Sequence, residues 1–353
     1  MTRVAASFVG CKVSQADGEE APAGLAAAGL EPVTARDAAD VVVVHTCCVT
    51  AEAERKSRRL VRRAGAGGRR VVVAGCAAAL RPEQFEGEGV TVAARPDWAE
   101  LAGRLAGEDV RRRAAGAAGG ATETGATHDA AHDAAHDAAS DATPCATQDT
   151  PARDTAGSAA ARDTAVAPAA RDLAAPRATP GARTRLVLKV QDGCSGACAY
   201  CVVRLVRGRP RSLPLARALT KARAGLDAGG GEVVLSGIDL GAWRDGAARL
   251  PDLVAAVADL DGVRRVRLSS VEPRHVDAAL LEQLAHPRVA RHLHVPLQSA
   301  DDGVLAAMRR PYTWERYLRA VDGLRDVPGG AMLSTDVIVG YPTEDEAAFA
   351  RTL

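Results

Sequence analysis

Two stretches of the chain alternate short apolar runs with amphipathic segments, and a stretch with neither pattern separates them. In the first stretch the apolar runs predict four strands, at Arg3–Phe8, Val41–His45, Arg70–Ala74 and Val90–Ala94. Helical patterns lie between them, for example over Ala51–Ala64. Strands that are apolar on both faces and alternate with helices are typical of a parallel sheet covered by helices. We therefore predict a flavodoxin- or Rossmann-like domain over residues 1–111.

A second series of strands and helices begins at Thr184. Its predicted strands are Arg185–Val190, Glu232–Ser236, Val263–Ser269, His292–Leu297 and Met332–Val339. Five strands that alternate with helices indicate a full or partial β/α barrel, with its active site at the carboxyl ends of the strands. The sequence stops at Leu353, inside the helix expected after the fifth strand. We predict that residues 184–353 form this full or partial barrel.

Residues 112–183 are rich in Ala, Thr, Asp and Pro and contain a repeated HDAA segment. Such a composition cannot bury an apolar core, so we predict a disordered linker. His128, His132 and His136 recur at four-residue spacing, which would also suit a metal site, but a repeat-expanded linker is the favoured interpretation. Cys145 lies in the same segment and receives no role.

Composition narrows the class of protein. The net charge of +1 gives no general preference for an acidic partner. The chain has no run of about eighteen apolar residues and no signal-peptide pattern, which predicts a cytoplasmic protein without a membrane partner. Eight cysteines in such a chain point to metal binding or redox chemistry, because reducing compartments disfavour disulfides.

The most specific motif is CSGACAYC, in which Cys194, Cys198 and Cys201 follow the first strand of the second domain. Three thiolates can hold three irons of a [4Fe–4S] cluster and leave the fourth iron open to a small chelating ligand. The spacing indicates S-adenosylmethionine as that ligand, and electron transfer to its sulfonium would release an adenosyl radical. A zinc site is disfavoured because it needs a fourth Cys or His.

This motif and its surroundings resemble the radical-SAM core of the MiaB/RimO methylthiotransferase family. In the second domain the similar segments are KVQDGCSGACAYC, GGGEVVLSGIDLG, RLSSVEP, HLHVPLQSADDGVLAAMRRPYT and TDVIVGYPTEDEAAF. In the first they are VGCKVSQAD, VVVVHTCCVTAEAERKSR and VVVAGC. GCKVSQ and KVQDGC are similar to the MtaB-like branch, which acts on N6-threonylcarbamoyladenosine beside the tRNA anticodon. The resemblance further predicts that this chain is truncated before the last barrel strand and that the family's TRAM domain is missing.

The resemblance implies further site residues. Cys11, Cys47 and Cys76 match the ligands of an auxiliary [4Fe–4S] cluster, whereas lone cysteines without a resemblance are more often buried apolar side chains. Glu232 matches the group that receives the ammonium of S-adenosylmethionine. Other candidates for cofactor contacts, which an ordinary barrel rim would also explain, are Tyr200, Ser270, Glu272, Gln298 and Asp336.

Basic side chains are dense on the helix after Cys47 and again after the CSGACAYC motif. We predict that they contact phosphates of a tRNA anticodon stem-loop; a solvated surface in an arginine-rich chain is the alternative. The candidates are Arg58, Arg59, Arg62, Arg207 and Arg209.

The aromatic C2–H bond of adenine is neither acidic nor electrophilic, so a radical is needed to functionalise it. The resemblance therefore implies methylthio transfer to C2 of N6-threonylcarbamoyladenosine in tRNA, with two [4Fe–4S] clusters, S-adenosylmethionine and an electron donor such as flavodoxin or ferredoxin. Two alternatives stay open. In the first, the enzyme acts on isopentenyladenosine of tRNA or on ribosomal protein S12. In the second, the chain is an inactive remnant that at most binds RNA.

Overall fold

The computed structural model describes residues 2–107 and 184–353, which all belong to one compact unit. The predicted linker over residues 112–183 lies outside the described residues, and so do His128, His132, His136 and Cys145. The predicted domain boundaries border the same stretch and stay predictions.

A parallel sheet forms the amino-terminal part of the molecule. Its strands are β1 (Arg3–Phe8), β2 (Glu31–Pro32), β3 (Val41–Thr46), β4 (Arg70–Gly75) and β5 (Val90–Val92). They are ordered β2-β1-β3-β4-β5, and every pairing is parallel. This is the strand order of flavodoxin-like folds, in which the ligand crevice opens where the order reverses, between β1 and β3. The predicted fold class of this part is confirmed.

Runs of valine explain why the central strands form. Val41 to Val44 in β3 and Val71 to Val73 in β4 are all buried. β-branched side chains suit a pleated surface, and burial on both faces requires apolar residues at successive positions. β2 escaped prediction because both of its residues are exposed and give no apolar signal.

Three helices of this part begin close behind strand ends, and residues 98–107 are also helical. The three are α1 (Lys12–Ala27), α2 (Ala51–Gly65) and α3 (Cys76–Leu80). Thr50 caps α2 by accepting the N–H of Ala53 at 3.1 Å. Cys11, Cys47 and Cys76 thus follow the carboxyl ends of β1, β3 and β4, which meet at one edge of the sheet.

The carboxyl-terminal part is a partial β/α barrel. Its strands are β6 (Arg185–Lys189), β7 (Gln191–Asp192), β8 (Arg211–Ser212), β9 (Glu232–Ser236), β10 (Arg244–Asp245), β11 (Ala248–Arg249), β12 (Arg265–Leu268), β13 (His292–His294) and β14 (Met332–Ser334). The parallel strands run in the order β12-β9-β6, and β13 pairs in parallel with β14. The N–H of Val271, just after β12, donates to the carbonyl of His294 at 2.9 Å and joins the two groups. The predicted barrel is confirmed.

Helices cover the outer face of these strands. They are α4 (Val203–Arg207), α5 (Leu215–Asp227), α6 (Leu250–Ala258), α7 (Ala278–Leu284), α8 (Asp302–Ala307), α9 (Trp314–Asp322) and α10 (Glu346–Thr352). Four of them start at a side-chain cap that accepts a backbone N–H of the first turn, namely Asp277, Asp301, Thr313 and Asp345. Leu235, Leu253 and Leu293 lie fully buried between strands and helices.

The last two strands are shorter than predicted, because each ends after three residues. Pro296 has no N–H to continue β13, and Gln298 adopts a φ of +68°, which turns the chain away from the strand direction. In the parts of the chain that the structure describes, no helix combines the length and the apolar character needed to cross a bilayer.

Candidate active site

The cysteines of CSGACAYC lie in the loop between β7 and α4, beyond the carboxyl end of β6. The loop starts at Gly193, whose φ is +75° and where a Cβ would lie 2.1 Å from the carbonyl oxygen of Arg209. Only glycine tolerates this approach. The N–H of Cys194 donates to the carbonyl of Gly208 at 3.1 Å, so the loop is fastened to the residues before β8.

Two of these thiols each accept a hydrogen bond. The N–H of Gly196 donates to Cys194 Sγ at 3.1 Å, and Arg310 Nη1 donates to Cys198 Sγ at 3.3 Å. Burial raises the pKa of Cys194 and of Cys201. Donors of this kind stabilise cluster-bound thiolates and tune their potential.

The donor set fits a [4Fe–4S] cluster with one open iron, since three thiols share one loop. Within residues 2–107 and 184–353, no three His, Cys, Asp or Glu side chains are already closed around a common metal position.

Arg310 is a residue of this site whose role the sequence did not reveal. Its Nη2 donates to Glu272 at 2.5 Å, and its Nε donates to the hydroxyl of Tyr312 at 3.0 Å. Glu272, a predicted cofactor contact, therefore acts on Cys198 through Arg310. The adjacent pair Arg309 and Arg310 gave no signal that one of them is buried at the cluster loop.

A polar row lies at the carboxyl ends of β12, β13 and β14. His294 Nδ1 shares a hydrogen bond with Ser270 Oγ at 2.7 Å, and its Nε2 lies 3.4 Å from Asp336 Oδ1. The N–H of Gln298 donates to the carbonyl of Asp336 at 2.8 Å. The structure thus brings together three of the predicted rim residues, and His294 is the member that sequence reasoning missed. Tyr200, in the cluster loop, is 39% exposed.

The structure contradicts the prediction for Glu232. This residue is the first of β9, whereas the cluster loop lies beyond the carboxyl ends of the strands. A five-residue strand separates its ends by about 13 Å. Glu232 instead forms ion pairs with Arg185 at 2.9 Å and with Arg267 at 2.6 Å.

Asp239 is the carboxylate at the correct end of that strand. Its side chain is 2% exposed and accepts a hydrogen bond from Arg274 Nη2 at 2.6 Å. Its N–H donates to Gln191 Oε1 at 2.7 Å. The segment SGID, which begins with the last residue of β9, was the available signal, but the glycines before the strand directed the prediction to Glu232.

Four thiols gather at the edge of the amino-terminal sheet, in two pairs. A hydrogen bond from Cys47 lowers the pKa of Cys11 to about 5, and one from Cys48 lowers the pKa of Cys76 to about 7. The same bonds raise the pKa of Cys47 and Cys48. Gly10, with a φ of +121°, is required here because a Cβ would lie 2.3 Å from Cys47 Cβ. Thiol chemistry at this edge fits an auxiliary cluster, and Cys48 lies next to Cys76, one of the three predicted ligands.

Arg207 connects the two thiol sites. Its guanidinium donates to Cys76 Sγ at 3.1 Å, to Asp17 at 2.9 Å and to Asp192 at 3.1 Å. Asp192 in turn accepts the N–H of Gly193 at 2.8 Å, at the start of the cluster loop. Arg207 is 6% exposed, so the predicted contact with RNA phosphates is wrong for this residue.

The other predicted RNA contacts are accessible to different degrees. Arg58 is half-buried, donates to Gln84 at 2.9 Å and lies 3.7 Å from Glu54. Arg59, Arg62 and Arg209 are exposed. Their role stays a prediction.

A cavity of 240 Å³ opens beside Arg207, between the two parts of the compact unit. Among its lining residues are Asp17, Glu20, His45, Cys76, Arg95, Trp98, Lys189, Asp192 and Arg211. His45 is 4% exposed, and neither ring nitrogen has a hydrogen-bond partner among the described residues. Burial lowers the pKa of His45 to about 4, so the ring is neutral. Its centroid lies 5.7 Å from the ring of Trp98.

Comparison with known proteins places both parts of the chain. Residues 188–353 match the Radical SAM superfamily, and residues 3–94 match the uncharacterized protein family UPF0004. A radical S-adenosylmethionine methyltransferase structure, TsrM from Kitasatospora setae, superposes with a TM-score of 0.57 over 100% of this chain and 72% of that one. At 15% identity this likeness concerns the fold alone.

Curated relatives are similar in sequence. A tRNA-2-methylthio-N(6)-dimethylallyladenosine synthase from Citrifermentans bemidjiense is 40% identical over 49% of this chain and 40% of its own length. A threonylcarbamoyladenosine tRNA methylthiotransferase, MtaB, from Treponema pallidum is 39% identical over 48% of this chain and 35% of its own length. The aligned segments thus span less than half of these relatives.

One relative is matched along almost the whole chain. The tRNA-2-methylthio-N(6)-dimethylallyladenosine synthase of Solibacter usitatus is 31% identical over 98% of this chain and 69% of its own length. Together with the two matched domains, this confirms the predicted family, with MtaB proteins among the relatives. The chain belongs to the MiaB/RimO family of radical-SAM methylthiotransferases.

Proposed function

We propose that this protein transfers a methylthio group to C2 of N6-threonylcarbamoyladenosine in tRNA. The observation that carries the proposal is the bridge made by Arg207, which bonds Cys76 of one thiol site and, through Asp192, the loop of the other. Cys76 and Asp192 both line the cavity beside Arg207, and two thiol sites linked through these residues suit a reaction that draws on both.

Cys194, Cys198 and Cys201 would hold one [4Fe–4S] cluster, and Cys11, Cys47 and Cys76 the other. When bound, the first cluster supplies the electron that cleaves S-adenosylmethionine to a radical, and the second holds the sulfur to be transferred. The electron comes from a protein donor such as flavodoxin or ferredoxin. Cys48, hydrogen-bonded to Cys76, is positioned to compete for the same iron.

The chain's own residues hold the reacting groups. Arg310, whose side chain is only 4% exposed, links Cys198 to Glu272 by hydrogen bonds and so orients that thiol. Asp239 offers a buried carboxylate at the carboxyl end of β9, where the ammonium group of S-adenosylmethionine is a suitable partner. Ser270 and His294 supply hydrogen bonds at the same barrel mouth.

The charged lining of the cavity favours the threonylcarbamoyl substrate over isopentenyladenosine. The relatives carry both names, so their similarity alone does not choose between them. Arg95 makes no hydrogen bond or ion pair with a described residue, and neither do the ring nitrogens of His45. An apolar isopentenyl group would leave both unsatisfied, which costs free energy, whereas a threonylcarbamoyl group carries a carboxylate and a hydroxyl. We infer a cytoplasmic enzyme whose exposed Arg59, Arg62 and Arg209 contact the anticodon stem-loop.

The test is anaerobic reconstitution of the complete chain with iron and sulfide, followed by incubation with S-adenosylmethionine, a reductant and tRNA. We expect about eight irons per chain, about four in Cys194→Ala, and a methylthio product detectable by mass spectrometry of tRNA nucleosides. Wild-type protein that binds no iron would refute the proposal and favour a remnant. Methylthio product that forms only on isopentenyladenosine tRNA, or only on ribosomal protein S12, would refute the proposed substrate.

A further inference from the structure

Most charged groups around the 240 Å³ cavity already have partners. Arg207 is shared between Asp17 and Asp192, and Lys189 pairs with the same two carboxylates. Glu20 accepts from Lys221 at 2.7 Å. These residues hold the two parts of the molecule together and have little capacity left for a ligand.

Two polar side chains of the lining, Arg95 and His45, have no hydrogen-bond or ion-pair partner among the described residues. Arg95 makes no hydrogen bond or ion pair with any described residue, although its guanidinium lies at the cavity beside Gly208. His45 is 4% exposed and both of its ring nitrogens are without a partner in the described parts. A buried, unsatisfied imidazole costs free energy unless something hydrogen-bonds to it.

The size and chemistry of the cavity define what would satisfy these groups. At 240 Å³ it is smaller than the roughly 300–1,000 Å³ of sites that enclose a complete drug-sized ligand, so it suits a substituent rather than a nucleotide. A free guanidinium matches a carboxylate through two parallel hydrogen bonds, and His45 can add a neutral hydrogen bond to an adjacent oxygen. Trp98 provides an apolar wall next to His45.

We propose that Arg95 and His45 recognise the carboxylate and neighbouring oxygen of the threonylcarbamoyl group and thereby select this substrate. The proposal rests on the proposed function and deepens it, because it assigns the selection to residues of the amino-terminal sheet. Arg95 follows β5 and His45 lies in β3, so both project from the sheet edge that also carries Cys76. The substituent would enter the cavity while the adenine ring stays between the two thiol sites.

The experiment measures equilibrium binding to the cluster-loaded complete chain, with three fluorescent anticodon stem-loops. One carries N6-threonylcarbamoyladenosine, one the same group with its carboxylate converted to an uncharged amide, and one isopentenyladenosine. The phosphates are identical in all three, so a change in selectivity reports the substituent. We expect wild type to prefer the carboxylate over the amide by about tenfold or more.

The variant Arg95→Gln should lose that preference while its affinity for the amide stem-loop stays the same. His45→Phe keeps a ring against Trp98 but removes the hydrogen bonds, and should lose about threefold to tenfold of the preference. Arg36→Gln, an exposed arginine of the same domain outside this cavity, should bind as wild type does.

Equal carboxylate-to-amide ratios in wild type and Arg95→Gln would overturn the inference, and so would wild-type preference for isopentenyladenosine. Loss of methylthio product with every tRNA, while carboxylate selectivity and its dependence on Arg95 persist, would instead refute the proposed function and leave the recognition site standing.

Discussion

Replacing Arg207 with Gln should weaken the contact between the amino-terminal sheet and the barrel and so lower the free energy of unfolding. The side chain is 7% exposed and bonds two carboxylates, which are themselves mostly buried, and one thiol. Gln is too short and uncharged to replace it. Asp17 and Asp192 would then keep Lys189, which pairs with both, and Asp192 would also keep Arg211 at 3.7 Å.

The magnitude follows from the loss of one partner in a buried ionic network. Such losses cost about 3–5 kcal/mol because the remaining charges stay desolvated. Lys189 lies within ion-pair distance of both carboxylates, which places the expected cost at the lower end, about 3 kcal/mol. With a urea m value of about 3 kcal/mol/M, the unfolding midpoint should fall by about 1 M.

The assay is urea unfolding of the metal-free protein, followed by circular dichroism. Arg204→Gln is the matched control, since Arg204 lies on the same short helix but is exposed, and it should change the midpoint little. A destabilisation below about 1 kcal/mol for Arg207→Gln would refute the buried network and, with it, the bridge between the thiol sites.

Three other outcomes are expected. Gly193→Ala should abolish the cluster of the CSGACAYC loop, leaving about four irons per chain, because a Cβ has no room there. Arg310→Gln should shift the reduction potential of that cluster, measured by redox titration, because Cys198 loses its charged hydrogen-bond donor. In metal-free protein, Cys11 should react with iodoacetamide already at pH 6, above its lowered pKa of about 5, and Cys47→Ser should weaken the donor that lowers it.

Each of these expectations has a clear counter-result. About eight irons in Gly193→Ala would mean that the loop adapts, and an unchanged potential in Arg310→Gln would remove Arg310 from the cluster's surroundings. For Cys11, the rate should fall as pH drops through about 5, because the thiolate is then protonated. A rate that rises only above pH 8 would contradict the hydrogen bond from Cys47.

Local signals explain what the sequence predicted well. The bounds of β1 and β9 were correct because their apolar runs are sharply delimited, and three cysteines in eight residues must lie in one loop wherever that loop is placed. The edge that gathers Cys11, Cys47 and Cys76 followed from the parallel arrangement of their strands.

The errors concern properties that depend on tertiary contacts. Glu232 was wrongly predicted to contact the cofactor, because the sequence around it does not show whether it lies at the first or the last residue of the strand. Arg207 read as a surface cation, since its partners Asp17 and Cys76 lie more than a hundred residues away in sequence. His294 acquires its role only when three strands align Ser270 and Asp336 on either side of it.

The two thiol sites differ in how they are encoded. One draws its sulfurs from an eight-residue peptide, whose loop closure costs little entropy, while the other draws on three strands spread from Cys11 to Cys76. If both sites bind iron as proposed, capture by the first would be a largely local event, whereas capture by the second would require a completed sheet. Iron bound at the second site would consequently report on native structure, and a chelator that removed it would withdraw stabilisation from the whole amino-terminal fold.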